Sequence, residues 1–128
     1  MKETNDFNIV KRQIIAAYLK IYGNDNPEDE FSLGNVLDLF RYFYRAYKTK
    51  FKRDHPHITT ETIKGIIQDL PEAVDPETGM TVDLSFCDYY DMMKQYFKSD
   101  FGERCDYTFQ HFMSGKIRYI KYYETQYE

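Results

Sequence analysis

The three histidines of this chain are the first residues to consider as metal ligands. His55 and His57 flank Pro56, which places two imidazoles near each other, and imidazole is a common zinc ligand. A tetrahedral set could be completed by one of three further residues: Asp54, Cys105 or His111. The sequence has no CxxC or HExxH motif to support such a site. A turn at Pro56, with His57 packing against or capping the next helix, is the simpler interpretation, and we expect neither a metal nor a cofactor.

The two cysteines allow a nucleophilic site to be considered. Cys87 falls within an apolar helical pattern, which predicts a small core residue. Cys105 lies near a predicted helix start and is expected to be more exposed. Cys105 and His111 could form a nucleophile–base pair, but such a pair needs a third group to orient the histidine, and no residue stands out in that role. Phosphate-binding glycine motifs are also absent from the sequence, so we expect no enzymatic activity.

The acidic residues are concentrated in one stretch of the chain. The formal net charge is −4, and no Lys or Arg occurs between residues 65 and 93. The interpretations that remain open are that these acids mimic a polyanion, that they dock onto a basic protein, or that they are a solvated loop and helix start. The acidic residues that we predict to contact a protein partner are Asp83, Asp88 and Asp91.

The basic residues gather between Arg41 and His57, interleaved with Tyr and Phe. Cations next to rings suit nucleic acid, because cations hold phosphates while rings stack on bases. An amphipathic helix with cations at its C-terminal end gives the same pattern, and a pI near 5.4 argues against a nucleic-acid binder. The candidate nucleic-acid contacts are Arg41, Arg45, Lys48, Lys52 and Arg53.

Aromatic residues are unusually frequent, with 13 Tyr, 10 Phe and no Trp in 128 residues. The C-terminal segment contains more rings than one helix face can bury, so Tyr119 and Tyr122 are candidate contacts with a partner protein or a second copy. The alternative is that these rings lie over the edge of their own core.

The elements that would position these residues are helices. Apolar residues recur at three- and four-residue steps, most clearly from Leu33 to Phe51, where Phe40 and Phe43 are expected to be buried. A first helix should end near Tyr22, and the final helix should bury Ile120. We predict an all-α fold with five or six helices in a single domain over residues 1–128, with a small β-hairpin near 74–82.

Three segments resemble small uncharacterised proteins of phages and conjugative elements of Gram-positive bacteria. They are residues 43–47, 55–58 and 111–118, which read FYRAY, HPHI and HFMSGKIR. The resemblance implies an accessory role for a mobile element in the host cytoplasm. It implies no activity and no binding residues.

The sequence thus favours a non-catalytic adaptor or modulator that binds another protein through aromatic and acidic surface. The alternative is a nucleic-acid-binding accessory factor that uses the basic end of the second helix. The longest apolar run spans only residues 14–19, short of the ~20 residues that cross a bilayer, so we expect no membrane association. The N-terminal segment lacks the apolar run of a signal peptide, which predicts a cytoplasmic location.

Overall fold

Six helices and one antiparallel hairpin make up residues 5–126, the range that this computed structural model describes. The helices are α1 (Asn5–Tyr22), α2 (Leu33–Phe51), α3 (Thr60–Asp69), α4 (Phe86–Lys98), α5 (Phe109–Phe112) and α6 (Gly115–Gln126). The strands β1 (Glu72–Val74) and β2 (Thr81–Asp83) lie between α3 and α4. The all-α prediction with a small hairpin is confirmed. Residues 1–4, part of the segment used to predict the cellular location, lie outside the described residues, as do 127–128.

The helix α2 is at the centre of the structure because its apolar stripe is continuous. Ser32 precedes it, and the Ser32 hydroxyl accepts a hydrogen bond from the backbone N–H of Asn35, which satisfies one of the unpaired N–H groups of the first turn. Phe40 and Phe43 are both 0% exposed, as predicted. The helix ends at Lys52, whose φ of 59° is left-handed. Its first-turn cap and its buried face together fix the position of α2.

The core is rich in ring–ring contacts that centre on Phe43. This ring stacks on Phe109 with a centroid distance of 4.5 Å and contacts Phe97 at 4.8 Å. Tyr96 and Phe112 complete the surroundings at 6.0 and 5.7 Å. These rings come from α2, α4 and α5, so one aromatic cluster joins three helices. Elsewhere, α1 packs against α3 and α2, and α4 packs against α6.

The two most buried side chains of α6 are charged, which differs from the prediction. Ile120 was expected to be buried but is 43% exposed, whereas Arg118 and Lys121 are 3% and 5% exposed. Arg118 Nη1 donates to the carbonyl oxygens of Asp69 at 2.7 Å and Glu72 at 3.0 Å. These carbonyls belong to the end of α3 and the start of β1. A guanidinium that satisfies several buried acceptors replaces the expected apolar contact.

The hairpin packs closely against α6. Its register pairs Glu72 with Asp83, Ala73 with Val82 and Val74 with Thr81. A side chain at Gly115 would clash with the carbonyl oxygen of Val74. The absence of a side chain at this position therefore permits the contact. No helix within residues 5–126 combines the length and apolar character needed to cross a membrane.

Candidate functional site

His55 is buried in the aromatic core, and both of its ring nitrogens have partners. Its Nδ1 atom lies 2.7 Å from the carbonyl oxygen of Pro56, which can only accept, so Nδ1 carries the proton. Its Nε2 atom accepts a hydrogen bond from the backbone N–H of Phe109 at 2.9 Å. Burial lowers the pKa of His55 to about 4. This imidazole is therefore neutral at neutral pH and has no free nitrogen for a metal ion.

The other residues that were considered as metal ligands do not lie around His55. His57 is exposed to solvent, and Asp54 forms an ion pair of 3.2 Å with Lys48. Within the part of the chain that the structure describes, no three His, Cys, Asp or Glu residues are grouped in a way that could hold a metal ion.

Cys105 and His111 do come together, with Sγ 3.5 Å from Nδ1. The hydroxyl of Tyr96 lies only 2.7 Å from the same nitrogen, so it competes with the thiol. An orienting group in a catalytic triad would instead bind the second ring nitrogen. Burial also lowers the pKa of His111, which disfavours the imidazolium that stabilises a thiolate. The arrangement suits a structural polar contact better than an activated nucleophile.

Cys87 is exposed on α4, so the prediction of a core residue is wrong. The buried face of α4 consists of Tyr89, Met92, Met93 and Tyr96. At 100° per residue, Cys87 lies on the opposite side of the helix.

The three predicted acidic contact residues occupy different environments. The carboxylate of Asp88 accepts a hydrogen bond from the backbone N–H of Ser85 at 2.9 Å and completes a capping box. Asp83 on β2 and Asp91 on α4 are exposed, and neither forms an ion pair within residues 5–126. Asp88 therefore stabilises the start of α4, while Asp83 and Asp91 are open to a partner.

The two predicted tyrosines also differ. Tyr122 packs against the hydrophobic core. Tyr119 has its ring 4.9 Å from that of Tyr123 and its hydroxyl 3.9 Å from Sδ of Met80 in the hairpin. Tyr119 therefore belongs with the hairpin, and Tyr122 belongs with the core.

The hairpin and α6 lie against each other, and each displays exposed apolar side chains. An ion pair of 2.8 Å between Lys116 and Glu77 joins the two elements at the hairpin loop. Val74 and Met80 of the hairpin and Ile120 of α6 are 42%, 57% and 43% exposed. We call this region the hairpin–α6 surface; its residues are Glu72, Val74, Met80, Asp83, Tyr119, Ile120 and Tyr123.

Two acids lie directly opposite each other on the outer face of the hairpin. Glu72 pairs with Asp83 in the strand register, and both side chains are exposed. Like charges in directly opposed positions destabilise a hairpin. No described Lys, Arg or His neutralises either carboxylate. The hairpin–α6 surface thus combines apolar area with an unneutralised negative pair.

The five predicted basic residues do not form a free row of cations. Arg41 pairs with Asp38 at 3.1 Å, Lys48 pairs with Asp54, and the Arg53 Nε–H donates to the Tyr47 hydroxyl at 3.2 Å. Arg45 and Lys52 remain exposed.

Arg45 instead joins two lysines that the sequence analysis did not select. Lys94 and Lys98 of α4 line the same groove as Arg45, between α2 and α4. Helical spacing places Lys94 and Lys98 on one side of α4, but only the packing of α4 on α2 brings them to Arg45. No protein-family model, curated protein or solved structure matches the chain.

Proposed function

We propose that this protein is a non-catalytic adaptor or modulator that binds another protein through the hairpin–α6 surface. The observation that carries the proposal is the hairpin itself, on which Val74 and Met80 are exposed beside the unneutralised pair Glu72 and Asp83. The hydroxyl of Tyr119 on α6 lies 3.9 Å from the Sδ atom of Met80, which adds an aromatic ring to this apolar area. Grouped apolar side chains with aromatic neighbours are typical of protein interaction sites. The acidic pair favours a partner whose contacting surface is basic.

The contacts of His55 and His111 favour a structural role for both histidines over a catalytic one. Both ring nitrogens of His55 are hydrogen-bonded within the core. The Nδ1 atom of His111 contacts both the Tyr96 hydroxyl and the Cys105 thiol. Neither histidine is therefore placed as a general base. Both histidines instead hold α5 and the loop before it in position.

The alternative, a nucleic-acid-binding accessory factor, has less support. Arg41, Lys48 and Arg53 are occupied by contacts within the molecule. Phosphate binding needs several cations that are free to contact successive phosphates of a nucleic-acid backbone.

The resemblance to proteins of phages and conjugative elements implies the cytoplasm of a Gram-positive host as the cellular setting. This setting stays a prediction.

Capture from a Gram-positive host lysate, with and without nuclease, followed by calorimetry on the purified partner, tests the proposal. We expect a nuclease-resistant partner whose affinity falls at least about tenfold when Met80→Ser and Asp83→Lys are combined. The matched control combines Ile9→Ser and Glu103→Lys, because Ile9 is 56% exposed and Glu103 is an exposed acid outside the hairpin–α6 surface.

Capture that disappears with nuclease, or equal weakening by both double variants, would contradict the proposal. Analytical sedimentation of the isolated protein measures its oligomeric state and so tests whether the partner is a second copy of the chain. The Met80 and Asp83 double variant should then lower the oligomeric state, and the control should not.

A further inference from the structure

The groove between α2 and α4 is a second candidate binding site, separate from the hairpin–α6 surface. It has a volume of about 510 Å³, within the usual size of ligand pockets. Its floor is apolar and consists of Tyr42, Ala46, Met93 and Phe97. Ala46 contributes only a methyl group to this floor, which favours room for an apolar side chain from outside.

Cations surround this apolar floor, and no acidic residue lines the groove. Arg45, Lys94 and Lys98 are exposed, and none forms an ion pair in the described part of the chain. A fourth cation, Lys50, donates from Nζ to the carbonyl oxygen of Phe97 at 3.0 Å. Three positive charges without counterions on one groove of a chain with net charge −4 favour an acidic ligand.

The two aromatic side chains of the groove already pack against other aromatic rings of the protein. Tyr42 makes an edge contact with Tyr90 at 4.9 Å, and Phe97 contacts Phe43 at 4.8 Å. Single-stranded nucleic acid binds best where ring faces are free to stack on successive bases. These rings are better suited to form a wall for an aliphatic side chain.

We infer that the α2–α4 groove binds an acidic amphipathic helix of a partner protein. Its carboxylates pair with Arg45, Lys94 and Lys98, and one of its apolar side chains enters between Tyr42 and Phe97. A helix laid along the groove between two helices is an established mode of peptide recognition. This site does not depend on the hairpin–α6 surface, so either can fail without the other.

Fluorescence anisotropy with a labelled peptide tests this inference directly. The probe has about 16 residues, some four helical turns, with Leu on one face and Glu on the other. Two matched peptides replace every Glu by Lys or every Leu by Ala. We expect only the Glu/Leu peptide to bind. Combining Arg45→Glu with Lys94→Glu should weaken its binding at least about tenfold.

Two further variants separate the groove from general charge effects. Ala46→Leu fills the floor without changing charge and should also weaken binding, whereas Arg12→Glu with Lys20→Glu changes two exposed cations on α1 and should leave binding unchanged. No binding of the Glu/Leu peptide, or equal weakening by the α1 variant, would overturn the inference. Binding of an oligo-dT strand that is lost only in the groove variants, without peptide binding, would assign the groove to nucleic acid instead.

Discussion

The Nε2 atom of His55 accepts a hydrogen bond from the backbone N–H of Phe109, 2.9 Å away and 54 residues along the chain. This bond joins the segment after α2 to the first residue of α5. An N–H group can donate only to an unprotonated nitrogen, so the contact exists only while the imidazole is neutral. Proton binding at His55 and the docking of α5 are therefore linked.

We predict that His55 makes the protein sensitive to mild acid. The pKa of His55 is about 4 in the folded protein and about 6.5 in the unfolded chain. Its contribution to stability is therefore complete above pH 6.5 and is lost as the pH falls toward 4. The free energy of unfolding of the wild type should drop by about 3 kcal/mol more than that of His55→Gln over this range. Denaturant unfolding at several pH values measures it, and parallel curves for the two proteins would contradict it.

The exposed His57 supplies the control for this experiment. His57→Gln should follow the wild-type pH dependence, because its imidazole makes no described contact with the core.

The second prediction concerns Phe43, which contacts rings from three other segments. Phe43→Ala should lower the free energy of unfolding by about 3–5 kcal/mol, since it removes a fully buried ring and leaves a cavity. Phe40→Ala should cost a similar amount. Tyr22, 48% exposed, is the control, and Tyr22→Ala should have much less effect on the thermal midpoint. A near-unchanged midpoint for both phenylalanine variants would show that the inward face of α2 is assigned incorrectly.

The third prediction concerns Arg118, whose Nε and Nη1 atoms have four acceptors within hydrogen-bond distance, three of which share the two N–H groups of Nη1. Besides two carbonyl groups at the end of α3 and start of β1, it donates to the carbonyl oxygen of Met113 at 3.1 Å and the hydroxyl of Tyr89 at 3.0 Å. Lysine lacks the fork that reaches all four. Arg118→Lys should therefore cost about 2–4 kcal/mol of stability in denaturant unfolding. Arg104→Lys, at an exposed loop position, should cost almost nothing; equal values for the two would argue against the buried network.

The fourth prediction compares two glycines. A Cβ at Gly115 would meet the carbonyl oxygen of Val74, while a Cβ at Gly34 in α2 would meet no neighbouring atom. Gly115→Ala should destabilise the protein and shift the amide NMR signals of β1. Gly34→Ala should be neutral or stabilising by up to about 1 kcal/mol, because alanine favours the helix. The two variants together test how closely the hairpin approaches α6, and a neutral Gly115→Ala would contradict the contact.

Much of the fold could be predicted from the sequence because the signals were local. The hydroxyl groups of Ser32, Thr59 and Ser85 cap the N-terminal ends of α2, α3 and α4, and each cap depends on a residue at most three positions away. Gly23, with φ of 82°, ends α1 as expected. These features depend on a few neighbouring residues, so the sequence carries them directly.

The errors concern features that depend on packing. The inward side of α6 is set by carbonyl groups of α3 and β1 that Arg118 satisfies, and periodicity favoured Ile120 instead. Asp88 was selected as a surface acid, although its capping box could have been recognised from Ser85 three residues earlier. The groove was missed because Arg45 and Lys94 lie on separate helices, and no spacing along the chain relates them.

The contact between Gly115 and the carbonyl oxygen of Val74 involves backbone atoms alone. The exposed side chains of Val74 and Ile120 take no part in it. The hairpin is therefore a fixed platform, and the residues that it displays can be exchanged without moving it. We expect the partner preference of the hairpin–α6 surface to be redirected by a few substitutions at exposed positions, with the orientation of the platform unchanged.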